Sequence, residues 1–178
     1  EIMAGQRHGL EYASSEALGA SRLATELKVS DPLTNTDIKK IEEKCDSHFH
    51  EFKKQFSANE FSNIVVSSGT LNNIVSIARS KSDGYVPAAN SNVSVSSKEL
   101  IDTCNELIQL DRNKRKKLLA YDTNRDEFIQ TAAVIAKKIS ALAQNDSPWY
   151  SSPYALREGL VLKTGDEYLS DGPISQRA

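Results

Sequence analysis

Two cysteines, one methionine, one tryptophan, five prolines and eight glycines in 178 residues leave little material for several classes of protein. Cys45 and Cys104, each set in a helical pattern, supply neither a disulfide framework nor a metal cluster, and they fit a reducing cytosol. An excess of one charge is also missing. Lys+Arg number 22 against 24 Asp+Glu, a net of −2, whereas a general nucleic-acid binder is normally basic, so no nucleic-acid partner is expected. No run approaches the roughly 18 apolar residues of a membrane helix, and no charged-then-apolar leader opens the chain; neither a membrane span nor a signal peptide is expected in it. Gly-x-x-x-x-Gly-Lys, Gly-x-Ser-x-Gly and His-Glu-x-x-His are all lacking, so no motif closes an active site by itself. His48 and His50 stand two apart, on different helix faces, and read as surface or packing residues rather than ligands.

What is present suits a folded domain: 39% hydrophobic and 26% charged residues, enough for a buried core. The length fits one ordinary domain, or two only if both are small. Glu1 rather than a methionine stands first, and residues 1–5 already read as a strand, so the chain is expected to be a piece of a longer protein. Residues 1–18 predict a β-hairpin turning at Arg7-His8-Gly9, followed by a short helix over 21–27. Thr34 with Asp37 has the spacing of a helix cap. Ile38, Ile41, Cys45, Phe49, Phe52 and Phe56 then follow at steps of three and four, predicting one amphipathic helix over 34–56. Ile64-Val65-Val66 predicts a strand covered on both faces. It passes through Ser68-Gly69-Thr70 into a helix carrying Leu71, Ile74, Val75 and Ala78.

Residues 83–95 read as a loop or a ragged edge hairpin. Ser96 and Glu99 form a capping box before Leu100, Cys104, Leu107 and Ile108. Residues 112–120 predict a short basic helix, and Thr123 or Asn124 is expected to cap a long helix through Leu142. Pro148-Trp149-Tyr150-Ser151-Ser152 reads as a last strand, 154–162 as a helix, and 163–178 as a loosely held polar tail. The element order is α/β with helical insertions: a mixed sheet holding strands near residues 1–5, 10–15, 64–67 and 149, with flanking helices.

Three places carry possible chemistry. Gly69, between a strand and a helix, lets backbone approach a ligand, and the free N–H groups of a helix start favour anions; a plain tight turn, common in α/β folds, is the more frequent explanation of the tripeptide alone. Arg125, near the expected start of the long helix, is disfavoured there by the helix dipole and so points to another task. Arg157 beside Glu158 either makes a structural ion pair or faces a phosphate cleft. In addition, Arg112, Lys114, Arg115, Lys116 and Lys117 put five positive charges in six residues; removing five from a net of −2 leaves the rest of the chain at −7. Such a run attracts a polyanion or, more often, forms a solvated helix face.

These pieces together resemble a known family. Residues 14–23, Ser-Ser-Glu-Ala-Leu-Gly-Ala-Ser-Arg-Leu, are similar to the Ser-x-x-Leu-Gly-Ala-x-Arg-Leu segment of the exopolyphosphatase / guanosine pentaphosphate phosphohydrolase family. Ser68-Gly69-Thr70 resembles its strand-to-helix turn, Asn124-Arg125-Asp126 its Arg-Ala-Asp-type helix opening, and Tyr154-Ala155-Leu156-Arg157-Glu158-Gly159 its closing Tyr-Gly-Leu-Arg-Glu-Gly motif, with Ala155 in place of the usual glycine. The resemblance implies a ribonuclease-H-like domain of the actin-like ATPase superfamily over 1–162, the C-terminal half of a short two-domain member. It implies that the glycine-rich phosphate loops and the water-activating Glu lie upstream, in an N-terminal domain that is the chain's partner. Ser68, Gly69, Thr70, Arg125 and Arg157 would then bind phosphate of polyphosphate or guanosine pentaphosphate. Mg²⁺ is implied as the cofactor, held mostly by the other half, and a homodimer is possible. The same residues leave open a non-catalytic phosphate sensor or dimerisation module, or half of another kinase of that superfamily.

Overall fold

The computed structural model describes residues 1–6, 9–57, 61–88, 91–118, 120–143, 146–155 and 161. Two strands open the chain, β1 (Ile2–Gln6) and β2 (Gly9–Ser14), paired antiparallel. The register slips between Ala4 and Gly5, and a side chain at Gly5 would sit 2.5 Å from the Gly9 carbonyl oxygen, so the bulge requires glycine there. The expected turn residues Arg7 and His8 lie outside the described residues. Tyr12 of β2 anchors the hairpin, its ring 5.3 Å from Phe52 and 5.9 Å from Phe56, both edge-on.

The hairpin was expected to join one mixed sheet. It stands instead as a separate two-stranded sheet, because its contacts to the body run through this aromatic cluster rather than through backbone hydrogen bonds. The mixed sheet contains β3 (Ile64–Val66), β5 (Trp149–Ser151) and β4 (Val93–Val95) in the order β3-β5-β4, the first pair parallel and the second antiparallel. β4, at the sheet edge, lies in the stretch read as a loop or a ragged edge hairpin; only two valines, one on each side of Ser94, mark it amid Asn and Ser. Ile64, Val66, Trp149, Val93 and Val95 are buried on one face, while Val65 is 67% exposed on the other. The strand is therefore covered on one face, not both, and its three apolar residues in a row do not reveal this.

Among the described residues, seven α-helices and a 3-10 turn accompany that sheet. α1 (Ala20–Leu27) buries Leu23 against the centre of the fold. α2 (Asn35–His48) starts on the expected capping box, with the Thr34 hydroxyl accepting from the Asp37 N–H and the Asp37 carboxylate accepting from the Thr34 N–H at 3.0 Å. Phe49, with ψ near 0°, interrupts the long helix expected there, and α3 (His50–Gln55) follows. The apolar face nonetheless runs on through the break, with Ile41, Cys45, Phe49 and Phe52 all buried. α4 (Gly69–Asp83) leaves β3 and ends on Gly84, whose φ of 75° suits glycine. α5 (Ser97–Gln109) packs along α7 (Ile129–Ser140), the central helix, which also touches α1, α2 and α4. Ala132, Ala133 and Ala136, all buried, let these neighbours approach closely.

The α5 capping box makes a testable contribution to acid stability. The Glu99 carboxylate accepts from the Ser82 hydroxyl at 2.5 Å, from the Ser96 N–H at 2.8 Å and from the Ser96 hydroxyl at 2.7 Å. Those bonds, the Ser82 one foremost, pull its pKa from an ordinary 4.5 to about 2. A depressed carboxylate stabilises the fold fully above its unfolded pKa and ceases to do so as pH falls through the folded one. Glu99→Gln should therefore flatten the loss of stability between about pH 4.5 and pH 2, read by urea unfolding at stepped pH. An unchanged slope would remove this assignment.

Candidate functional site

The chain leaves β3 through Ser67 and an extended Ser68, and Gly69 is the first residue of α4. No side chain caps this helix start and no acidic residue sits in its first turn. The leading N–H groups, which have no intrahelical acceptor, thus face outward with the positive end of the helix dipole behind them. The Arg125 guanidinium lies across this turn. A Cβ built on Gly69 would fall 2.5 Å from its Nη2, 2.6 Å from its Cζ and 2.8 Å from its Nη1. Glycine at 69 is therefore the seat on which the guanidinium rests.

Arg125 belongs to a different element from the one expected. Residues Thr123–Phe128 form a 3-10 turn, capped by the Asp122 carboxylate accepting from the Asn124 N–H at 2.9 Å, and α7 begins only at Ile129. The long helix does not start at 123 because Asp126 is drawn inward, where it is 2% exposed. Its carboxylate accepts from the Tyr121 hydroxyl at 2.5 Å and from Arg112 Nε, with Arg115 Nη2 at 3.7 Å. Burial alone would raise this carboxyl's pKa, but the Tyr121 and Arg112 hydrogen bonds outweigh it and hold the group below its ordinary range. The Tyr121 hydroxyl is pushed up to about 12, by burial first and by its bond to Asp126 second. Arg125 itself is 47% exposed, and its charge partner among the described residues is the Asp122 carboxylate at 3.6 Å.

Two asparagines that the sequence reading passed over tie the pieces together. Asn73 Nδ2 donates to the Ala120 carbonyl at 2.8 Å, and Asn73 Oδ1 accepts from the Asp122 N–H at 3.4 Å, pinning the 120–122 segment to the first turns of α4. Asn72 Nδ2 donates to the Ser152 carbonyl at 3.0 Å, bringing in the segment that follows β5. Paired asparagines are poor helix formers. Their place just inside a helix start was the signal available for finding them. Of the expected site residues, Ser68, Gly69, Thr70 and Arg125 are thus brought together, while Arg157 lies outside the described residues.

The basic run divides. Arg115 is 0% exposed, its guanidinium donating to both Asp31 oxygens at 2.9 and 2.8 Å and to the Leu110 carbonyl at 2.7 Å. α6 is only Arg112–Arg115, and Arg112 is engaged with Asp126. Neither a polyanion patch nor a solvated face describes Arg115, whereas Arg112, though engaged with Asp126, is 59% exposed and joins Lys114, Lys116 and Lys117 as exposed cations of the run. His48 pairs with Glu16 at 2.9 Å, and both cysteines are buried with thiols pushed up to about 12, mainly by burial. Among the described residues no three His, Cys, Asp or Glu side chains converge on a metal position. A cavity of about 300 Å³ lies behind the 3-10 turn, lined among others by Thr25, Asp31, Arg112 and Glu127.

A mixed sheet with helices around it, and an arginine laid over the strand-to-helix turn, make this an α/β domain. The chain belongs to the Ppx/GppA phosphatase family, whose family model matches residues 1–167. It is similar in structure to an exopolyphosphatase from Cytophaga hutchinsonii, with a TM-score of 0.81 at 17% identity over 93% of this chain and 53% of that one. It is likewise similar to the Aquifex aeolicus member of the Ppx/GppA family, with a TM-score of 0.74 at 16% identity over 96% of this chain and 53% of that one. The chain thus spans about half the length of the solved structures it matches. No curated protein sequence matches it.

Proposed function

We propose that this chain is one half of a phosphoanhydride hydrolase that releases terminal phosphate from inorganic polyphosphate or guanosine pentaphosphate. Its Gly69–Arg125 face would form one wall of the phosphate cleft. The observation that carries the reading is the Arg125 guanidinium seated on Gly69 at the open start of α4. Family membership supplies the reaction class.

Chemically, this wall does two things. The first-turn N–H groups of α4 offer fixed donors to a phosphate oxygen, and they need no reorganisation when charge develops there. Arg125 adds charge-assisted, fork-shaped donors beside them, so a phosphate chain is held in one orientation rather than merely attracted. The water-activating carboxylate and the glycine-rich loops are assigned to an N-terminal partner domain. Mg²⁺ would neutralise phosphate charge, and among the described residues no three His, Cys, Asp or Glu side chains stand together to hold it.

The 178-residue chain alone should accordingly release no phosphate from polyphosphate with Mg²⁺, while a full-length protein carrying it should do so. Turnover by the chain alone, surviving repeated purification, would overturn this division of labour. No helix among the described residues is long and apolar enough to cross a membrane.

A further inference from the structure

We propose that the cluster of Asp31, Arg112 and Tyr121 around the buried Arg115 and Asp126 is a positioning device for Arg125, holding its guanidinium on Gly69 before any anion arrives. The proposal rests on the reading of Gly69 and Arg125 as an anion-binding wall, and it assigns a task to the basic run that a surface role does not cover.

The element that carries Arg125 is weak. The 3-10 turn is six residues long, its hydrogen-bond geometry is intrinsically poorer than that of an α-helix, and of its side chains only Asp126 is fully buried. Left to itself, such a turn would not keep a long, half-exposed arginine over one glycine. It is held from both ends. At its head, Asp122 is tied to α4 through Asn73, which fixes the turn to the very helix that presents Gly69. At its tail, the Asp126 carboxylate is gripped by the Tyr121 hydroxyl and by Arg112 Nε. Arg125 sits between these anchors, one residue from the second.

The tail anchor reaches deep into the fold. Arg115 spans from the Asp126 side of the cluster to Asp31, 84 residues away in sequence, and also caps the Leu110 carbonyl at the end of α5. Gln130 of α7 donates to the same Leu110 carbonyl at 3.1 Å and to that of Ile108 at 2.9 Å, joining the central helix to the arrangement. The fully buried pair of Arg115 with Asp126 is weak evidence for stability, since apolar residues of equal volume often do as well; the task assigned to it is to specify one geometry. Here the geometry it fixes is that of the turn bearing Arg125.

If Tyr121 acts through Arg125, its effect must vanish when Arg125 is gone. The test measures binding of inorganic tripolyphosphate to the full-length protein by calorimetry, without added metal, in four forms: unaltered, Tyr121→Phe, Arg125→Ala and the double variant. Each is checked for a native circular dichroism spectrum well below its melting temperature. Tyr121→Phe removes one hydroxyl and keeps the ring. It should weaken binding roughly tenfold alone, as a misplaced positioning group does, and add nothing in the Arg125→Ala background. Equal weakening in both backgrounds, or none in the unaltered protein while Arg125→Ala is impaired, overturns the positioning role and leaves the anion wall standing. Unchanged binding by Arg125→Ala sinks the anion wall itself, and the positioning role with it. Should Tyr121→Phe fail to fold, Arg112→Gln removes the other grip on Asp126 from a more exposed position and carries the same expectations.

Discussion

Arg115→Ala is expected to lower the unfolding free energy by about 3 kcal/mol, whereas Lys117→Ala, two residues on in the same basic run, should change it by about 0.5 kcal/mol or less. The two side chains look interchangeable in sequence and are opposites in the fold. Arg115 is 0% exposed and satisfies Asp31, the Leu110 carbonyl and part of the Asp126 environment; its removal leaves buried acceptors without their cation. The loss belongs near the lower end of what a broken buried pair costs, because Asp31 is 43% exposed and water can reach it. Chemical denaturation of the two variants side by side reads the difference. Equal, small losses would mean that the run is a solvated face after all.

Gly69→Ala should separate function from stability. Alanine is the better helix former, so α4 should be no less stable and the melting temperature should hold or rise slightly. Its methyl group, however, would lie 2.5 Å from Arg125 Nη2, closer than any van der Waals contact allows, and the flexible guanidinium rather than the backbone would give way. Displacing it removes a charge-assisted hydrogen bond to phosphate, worth roughly 1.5–3 kcal/mol, or about one to two decades in kcat/KM for polyphosphate. Arg125→Ala should cost about the same, and the two together no more than either. Full turnover by Gly69→Ala would show that the contact between the two residues has no functional meaning.

Sequence made the local signals of this fold legible and hid the distant ones. Both capping boxes, Thr34 with Asp37 and Ser96 with Glu99, are complete within four residues and form as read. The face from Ile41 to Phe52 survives the break at Phe49, because burial follows the apolar spacing and not the continuity of backbone bonds. β4 was left between a loop and a ragged edge hairpin because three residues with two valines carry too little pattern to stand out from a polar stretch. The site was half legible: Gly69 and Arg125 were each singled out, yet nothing local says that one rests on the other. The burial of Arg115 was not legible at all, since a run of like charges ordinarily faces water and its partner Asp31 is 84 residues away. The 3-10 turn follows from the same cause, an Asp126 pulled inward by a cluster assembled from three separate segments.

The most direct measurement is a crystal structure of a full-length protein carrying this chain, grown with tripolyphosphate. The account predicts phosphate oxygens within hydrogen-bonding distance of the first-turn N–H groups of α4 and of the Arg125 guanidinium, with Arg125 still lying over Gly69. Tripolyphosphate bound away from α4, with Arg125 turned toward solvent, would contradict it.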